Sequence, residues 1–246
     1  MKNGILAEWN YWLGIISTMI LCLPVLIILY RRLFTRLSFA ALGVYYTSTV
    51  AYNLMTIGIV KASAKTIGYV GLVNNLIDTP LMLLFLLFYS YNTKITKAIY
   101  LAAGLFIVFE IITVITMGIS VTAITVILAP GLLLTLGLSL FFFGNTIKII
   151  ISDRIKPAKG LMVSAIAFSY SCFLILYILF YIVKTKNTDD CFFMYYLSSL
   201  ISGVVMSAGL LTIKEKDAAP PAPNKKKDVM KKDIEPSWLE DSSVFN

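Results

Sequence analysis

Two carboxylates stand deep inside long apolar runs, Asp78 and Glu110. An ionisable side chain at that depth is expensive in hydrocarbon, so each is a default candidate for a functional site. Asn74 and Asn75 sit one turn before Asp78. Asn74 and Asp78, at i and i+4, share a helix face and are spaced to share a hydrogen bond. Asn74, Asn75, Asp78 and Glu110 are therefore the candidate ligand-binding or intramembrane polar site, and Asp78 is expected to face the bundle interior. Pro80 follows two residues later. It has no N–H to donate and is expected to kink the helix beside Asp78. The competing reading is that such groups only join helices, at about 0.6 kcal/mol per polar contact.

Other chemistry is scarce. The chain has no histidine, which removes most zinc sites and many proton shuttles. Cys22, Cys172 and Cys191 have no metal-ligand spacing and make no disulfide framework. Aspartyl chemistry needs two carboxylates in contact, and only Asp78 and Glu110 lie in the spans; serine chemistry lacks an evident base. The sequence predicts a non-enzymatic protein with no catalytic residue and no metal.

The elements that hold these residues are helices in a membrane. Only 14% of the residues are charged, against about 25% in soluble domains, and the charges fall in short loops between apolar runs. Runs of about 20 apolar residues match a hydrocarbon core of roughly 30 Å. The pattern predicts an all-α polytopic protein, a seven-transmembrane-helix bundle over residues 1–213. The spans read 10–30, 38–60, 67–91, 98–117, 121–147, 160–183 and 192–213. The first is a span and not a cleaved leader, because its apolar run reaches Tyr30 without a small-x-small site. Spans four and five are separated only by the uncharged stretch 117–122, but together they are too long for one crossing. Trp9, Tyr11, Trp12, Tyr30, Tyr69, Tyr91, Tyr100, Tyr181 and Tyr195 fall near span ends and read as interfacial belts. Ser199, Gly203 and Ser207 make a small-residue row that favours close helix packing.

Seven spans put eleven Lys and Arg on one side, from Arg31 to Lys216, and five on the other. The positive-inside rule then places the N-terminus outside and the C-terminus in the cytoplasm, in a plasma (inner) membrane. Residues 214–246 read as a disordered cytoplasmic tail. It opens on a Pro- and Ala-rich linker at 218–223 and carries seven basic and seven acidic residues. The formal +8 of the chain thus belongs to the membrane part, and a nucleic-acid partner is not expected. Trp238, Leu239 and Phe245 are apolar side chains that a purely solubilising tail does not need. They are the candidate anchors for a protein partner, the lipid bilayer being the other.

The segment Asn74-Asn75-Leu76-Ile77-Asp78-Thr79-Pro80-Leu81-Met82-Leu83-Leu84 resembles the third helix of microbial (type I) rhodopsins, which reads Asp-Trp-Leu-x-Thr-Thr-Pro-Leu-x-Leu-Leu. The resemblance implies a rhodopsin-like seven-helix scaffold. It places the family's counter-ion on Asn74, its chromophore-facing Trp on Asn75, its preceding Arg on Gly71 and its cytoplasmic proton donor on Phe85. The aromatic pocket of the sixth helix falls on Phe168, Ser171 and Cys172. No lysine lies between Cys191 and Thr212, so the retinal Schiff base of that family has no amine here. The expectation is a lysine-less, rhodopsin-like membrane protein without covalent retinal. It would bind a non-covalent lipophilic ligand or act in signalling or interaction through its tail. The alternative is a small solute or ion transporter or channel using Asp78 and Glu110.

Overall fold

Backbone amides in apolar surroundings must find partners within the chain, and the long apolar runs of this sequence satisfy them as helix. The computed structural model describes residues 2–90, 92–153, 157–184 and 188–213, with no β-strand among them. Seven α-helices follow in order: α1 Lys2–Tyr30, α2 Leu37–Thr56, α3 Ala64–Leu86, α4 Thr93–Met117, α5 Val121–Asp153, α6 Pro157–Tyr177 and α7 Thr188–Thr212. Pro24, Pro80 and Pro130 lie inside α1, α3 and α5, and each helix runs through its proline.

Local chemistry sets the breaks. Ser63 accepts the amide of Thr66 at 3.1 Å and starts α3; Asn92 accepts that of Lys94 at 3.0 Å and starts α4. Side-chain oxygens at these positions satisfy amides that have no partner within the helix. The expected break between spans four and five falls at Gly118, whose φ of 67° suits a residue without Cβ. Ser120 then accepts the amide of Ala123 at 3.2 Å as α5 begins. The end of α6 widens into a π-helical turn, Ile178–Ile182.

α1 packs between α2 and α7, α7 against α6, and α6 against α5; α3 joins α2 to α5, and α4 lies against α3 and α5. The small-residue row of α7 lets α1 approach: a Cβ on Gly203 would sit 3.0 Å from Ile20. On the same helix a Cβ at Gly209 would meet the Ala158 carbonyl of α6 at 3.1 Å. Arg31, at the end of α1, donates to the Leu210 and Leu211 carbonyls at 2.7 and 3.2 Å. This places a cation at the negative end of α7.

Six of the helices are long and apolar enough to cross a membrane, the build of an integral membrane protein. The sequence reading counted α2 as a seventh. It departs from the rest because Tyr45, Tyr46, Thr47, Ser48, Thr49, Tyr52 and Asn53 crowd its stretch 45–53 with polar groups. The tail 214–246, with Trp238, Leu239 and Phe245, lies outside the described residues.

Candidate functional site

A cavity of about 260 Å³ opens between α2, α3, α5, α6 and α7. It occupies the half of the bundle where α1 starts and α2 ends. One wall is polar: Asn74, Asn75 and Asp78 follow one another along α3. The facing walls are largely aromatic, with Tyr45 and Tyr52 from α2, Phe173 and Tyr177 from α6, and Phe192 and Tyr195 from α7. Leu128 and Leu132 of α5 complete it. The π-helical turn adds Phe180 and Tyr181, both at least partly exposed, beside the opening. A π turn shifts the side chains that follow it by one residue, and such turns recur at functional sites.

Asp78 forms the inner limit of the polar wall and is buried. Its Oδ1 accepts a hydrogen bond from the hydroxyl of Tyr170, a residue of α6 that is 1% exposed. Its second oxygen has no donor among the described residues and is not sealed from the cavity. Asn74 does not bond Asp78, as the i, i+4 spacing suggested; its Oδ1 accepts from Ser48 of α2 at 2.7 Å. Each group takes a partner on a neighbouring helix instead, so the shared face aligns them without joining them. Asn75 is half-buried and lines the cavity, and its side chain forms no hydrogen bond with a described residue. On the far wall Tyr195 donates to Asn53 Oδ1 at 3.2 Å.

Glu110 does not reach the cavity. It belongs to the buried row Ile99, Ala103, Phe106, Glu110 and Thr113 on α4. Its Oε1 is sealed without a partner, and the carboxyl lies within electrostatic range of Asp78. Phe106 and Thr79 both crowd Gly131, where a Cβ would stand 2.9 Å from the Phe106 ring and closer still to the Thr79 hydroxyl. Pro80 lies one residue beyond Thr79, so α3, α4 and α5 meet closely just below the polar wall. No group of three or more His, Cys, Asp or Glu is placed to hold a metal among the described residues.

Among the described residues the opposite half of the bundle is filled by side chains. Beyond Tyr170 lies a void of about 10 Å³ lined in part by Met82, Ser169 and Ser202, at the lower limit for one water molecule, about 10–15 Å³. Beyond that stands an aromatic cluster. Phe39 packs on Phe85 and Phe88 with ring centroids 5.9 and 4.9 Å apart; Tyr89 packs on Phe85 at 5.9 Å and on Phe142 at 5.7 Å. Phe39 and Phe85 are fully buried. The Lys159 ammonium of α6 covers the Phe88 ring at 4.4 Å, and Tyr89 donates to the Lys159 carbonyl at 3.3 Å.

Several expectations change here. Tyr181 and Tyr195, read as belt residues, line the cavity instead, whereas Trp9, Trp12, Tyr30, Tyr69 and Tyr100 are exposed as a belt requires. Phe168, Ser171 and Cys172 were to carry the aromatic pocket of the sixth helix. Phe168 faces outward and none of the three lines the cavity. The inward row of α6 runs through Tyr170, Phe173 and Tyr177, at the i, i+3, i+7 spacing of one helix face. Tyr170 was missed, although that row could be read from the sequence once its phase was known. No protein-family model, curated protein or solved structure matches the chain.

Proposed function

We propose that this chain is a seven-span membrane protein, a rhodopsin-like scaffold without covalent retinal, that binds a small ligand non-covalently and passes the event inward. It acts as a binding or signalling component and not as an enzyme. The carrying observation is the cavity: polar on α3, aromatic on the facing walls, open at one end and backed by a closed aromatic cluster. Ligand sites have this make-up of apolar walls with a few placed polar groups. The basic-residue count supports an opening on the outside and a C-terminus in the cytoplasm of a plasma (inner) membrane. α2 then crosses as the seventh span, its polar residues turned to the cavity and its neighbours. In this reading residues 214–246 are the output, docking a protein partner through Trp238, Leu239 and Phe245.

Glu110 favours a second reading, a small solute or ion transporter. A sealed carboxyl oxygen without a partner, within range of Asp78, is the sort of group a proton relay uses. The closed inner half weighs against it, since a transporter must also open that side.

Labelling separates the two. In a variant without the native cysteines, Asn75→Cys should react with a membrane-impermeant thiol reagent added outside and stay unreactive to reagent added from the cytoplasm. Reaction from both sides, with solute or proton flux in proteoliposomes, would favour transport. Deleting residues 218–246 should leave the bundle folded and remove the partner from a pull-down. An unchanged set of co-purifying proteins would sink the role given to the tail.

A further inference from the structure

We infer that the cavity takes a small organic cation, an alkyl- or arylammonium, with its charged head against Asp78 and its apolar body among the aromatic rings. The inference rests on the cavity being the ligand site proposed above and adds the class of ligand.

Charge comes first. The cavity lining contains one carboxyl group and no lysine or arginine. An anion would meet Asp78 with nothing to compensate it. A wholly apolar ligand would cover the open oxygen of Asp78 and the unpaired amide of Asn75, and burying polar groups without partners is costly. A cation removes the first cost, and an N–H or polarised C–H on it faces an acceptor already in place. Tyr170 holds the other carboxylate oxygen, so the acceptor is oriented before the ligand arrives and little ordering is left to do on binding.

The walls add a second, independent argument. Ammonium groups are attracted to the faces of aromatic rings within about 6 Å of the centroid, and aromatic cages select quaternary ammonium for this reason. Tyr45, Tyr52, Phe173, Tyr177 and Tyr195 surround the polar wall. Phe173 and Tyr195 stack with centroids 5.8 Å apart and planes at 25°, so two walls join into one continuous aromatic surface. A metal ion suits the site poorly. Calcium takes 6–8 oxygen ligands and magnesium keeps near-octahedral oxygen coordination, whereas this cavity offers a single carboxylate, its other oxygens being the neutral amides of Asn74 and Asn75 and the hydroxyls of Thr49 and the lining tyrosines. The volume, about 260 Å³, lies just under the roughly 300–1,000 Å³ of drug-sized pockets. It suits a head group with one ring or a short chain and excludes a long polyene.

The test uses full-length protein in lipid nanodiscs and isothermal titration with three probes of similar size. Phenyltrimethylammonium is the cation, tert-butylbenzene its neutral isostere, and benzenesulfonate the anion. The expected result is saturable binding of the cation, at least about tenfold weaker binding of the neutral isostere, and none of the anion. Asp78→Asn should weaken the cation by about tenfold or more and leave the neutral isostere nearly unchanged. Equal or tighter binding of tert-butylbenzene, or binding of the sulfonate, would overturn the cation assignment while leaving the cavity as a ligand site. So would a cation affinity indifferent to Asp78→Asn. If none of the probes binds saturably, the cavity is not a ligand site and both readings fail. The order among the probes is measured on the unaltered protein, so it decides the matter even if Asp78→Asn does not fold.

Discussion

Tyr170→Phe removes a single hydroxyl and tests whether the bond between α6 and α3 holds the floor of the cavity. Two magnitudes compete. Hydrogen bonds to charged groups contribute about 1.5–3 kcal/mol in soluble proteins, whereas polar contacts between membrane helices average about 0.6 and reach about 1.7 kcal/mol. Tyr170 is 1% exposed and Asp78 9%, so water cannot readily replace the lost donor at Oδ1. The second oxygen of Asp78 opens to the cavity, which tempers the loss. The expected cost is therefore near the top of the membrane range, about 1–2 kcal/mol. The ring itself should stay, because its contact with Phe173, centroids 5.9 Å apart, does not involve the hydroxyl. A double-mutant cycle isolates the bond. Tyr170→Phe, Asp78→Leu and the double variant are unfolded by adding a denaturing detergent to mixed micelles, and helicity is followed. Tyr170→Phe should cost about 1–2 kcal/mol in the parent and little in the Asp78→Leu background. Asp78→Asn keeps an acceptor for Tyr170 and should fold, while Asp78→Lys removes that acceptor and leaves a cation with no carboxylate in the cavity lining to pair with, and should not. Additivity of the two substitutions within about 0.3–0.5 kcal/mol would refute the coupling.

The remaining expectations are direct. Gly131→Ala should destabilise the bundle by about 1–3 kcal/mol, the usual cost of overpacking, because the new methyl meets Thr79 and Phe106 together; an unfolding midpoint equal to the parent's would mean that α3, α4 and α5 are more loosely packed than described. All-trans retinal added to the purified protein should give no red-shifted, borohydride-sensitive band, since no lysine lies between Cys191 and Thr212; such a band would require another amine to serve. An epitope at Asn246 should survive protease added outside intact cells, following the eleven-to-five count of basic residues, and its loss would invert the orientation or make the number of spans even.

Helix number and order were legible because each apolar run is long and the breaks carry their own chemistry. Gly118 with φ 67° and the serine and asparagine caps at Ser63 and Asn92 are local signals. Asp78, Asn74 and Asn75 were legible as well, since polar groups within an apolar run stand out. What the sequence did not expose was the partner of each. Tyr170 lies 92 residues from Asp78, and its distance across the bundle depends on how α6 is rotated. A helix with apolar residues on every side gives no phase: α6 is apolar on its outward face, where Phe168 sits, as well as on its inward one. For the same reason Glu110 looked equivalent to Asp78. Both are single carboxylates in apolar helices, but only the helix-to-helix contacts show that one lines the cavity and the other lies against α3 and α5.

The departure of α2 and the position of the site have a common origin. In a helix surrounded by lipid, polar side chains are tolerated only where they face protein or a water-accessible cavity. α2 has the crowd of hydroxyls and amides that keeps it from the apolar set, and most of those groups are at work inside the bundle; Thr47 is exposed and bonds the Gly43 carbonyl of its own helix. Tyr45, Thr49 and Tyr52 line the cavity, Ser48 holds Asn74, and Asn53 receives Tyr195. Its outward positions remain apolar or small, as at Val44, which is 52% exposed. The lower hydropathy of α2 is thus the sum of one polar face turned inward and one apolar face turned out. On this argument the wall of a ligand site in an apolar bundle is to be sought in its least apolar helix. Replacing Tyr45, Thr49 and Tyr52 with Phe, Val and Phe should raise the hydropathy of α2 while removing the polar edge of the cavity opposite Asn74 and Asp78.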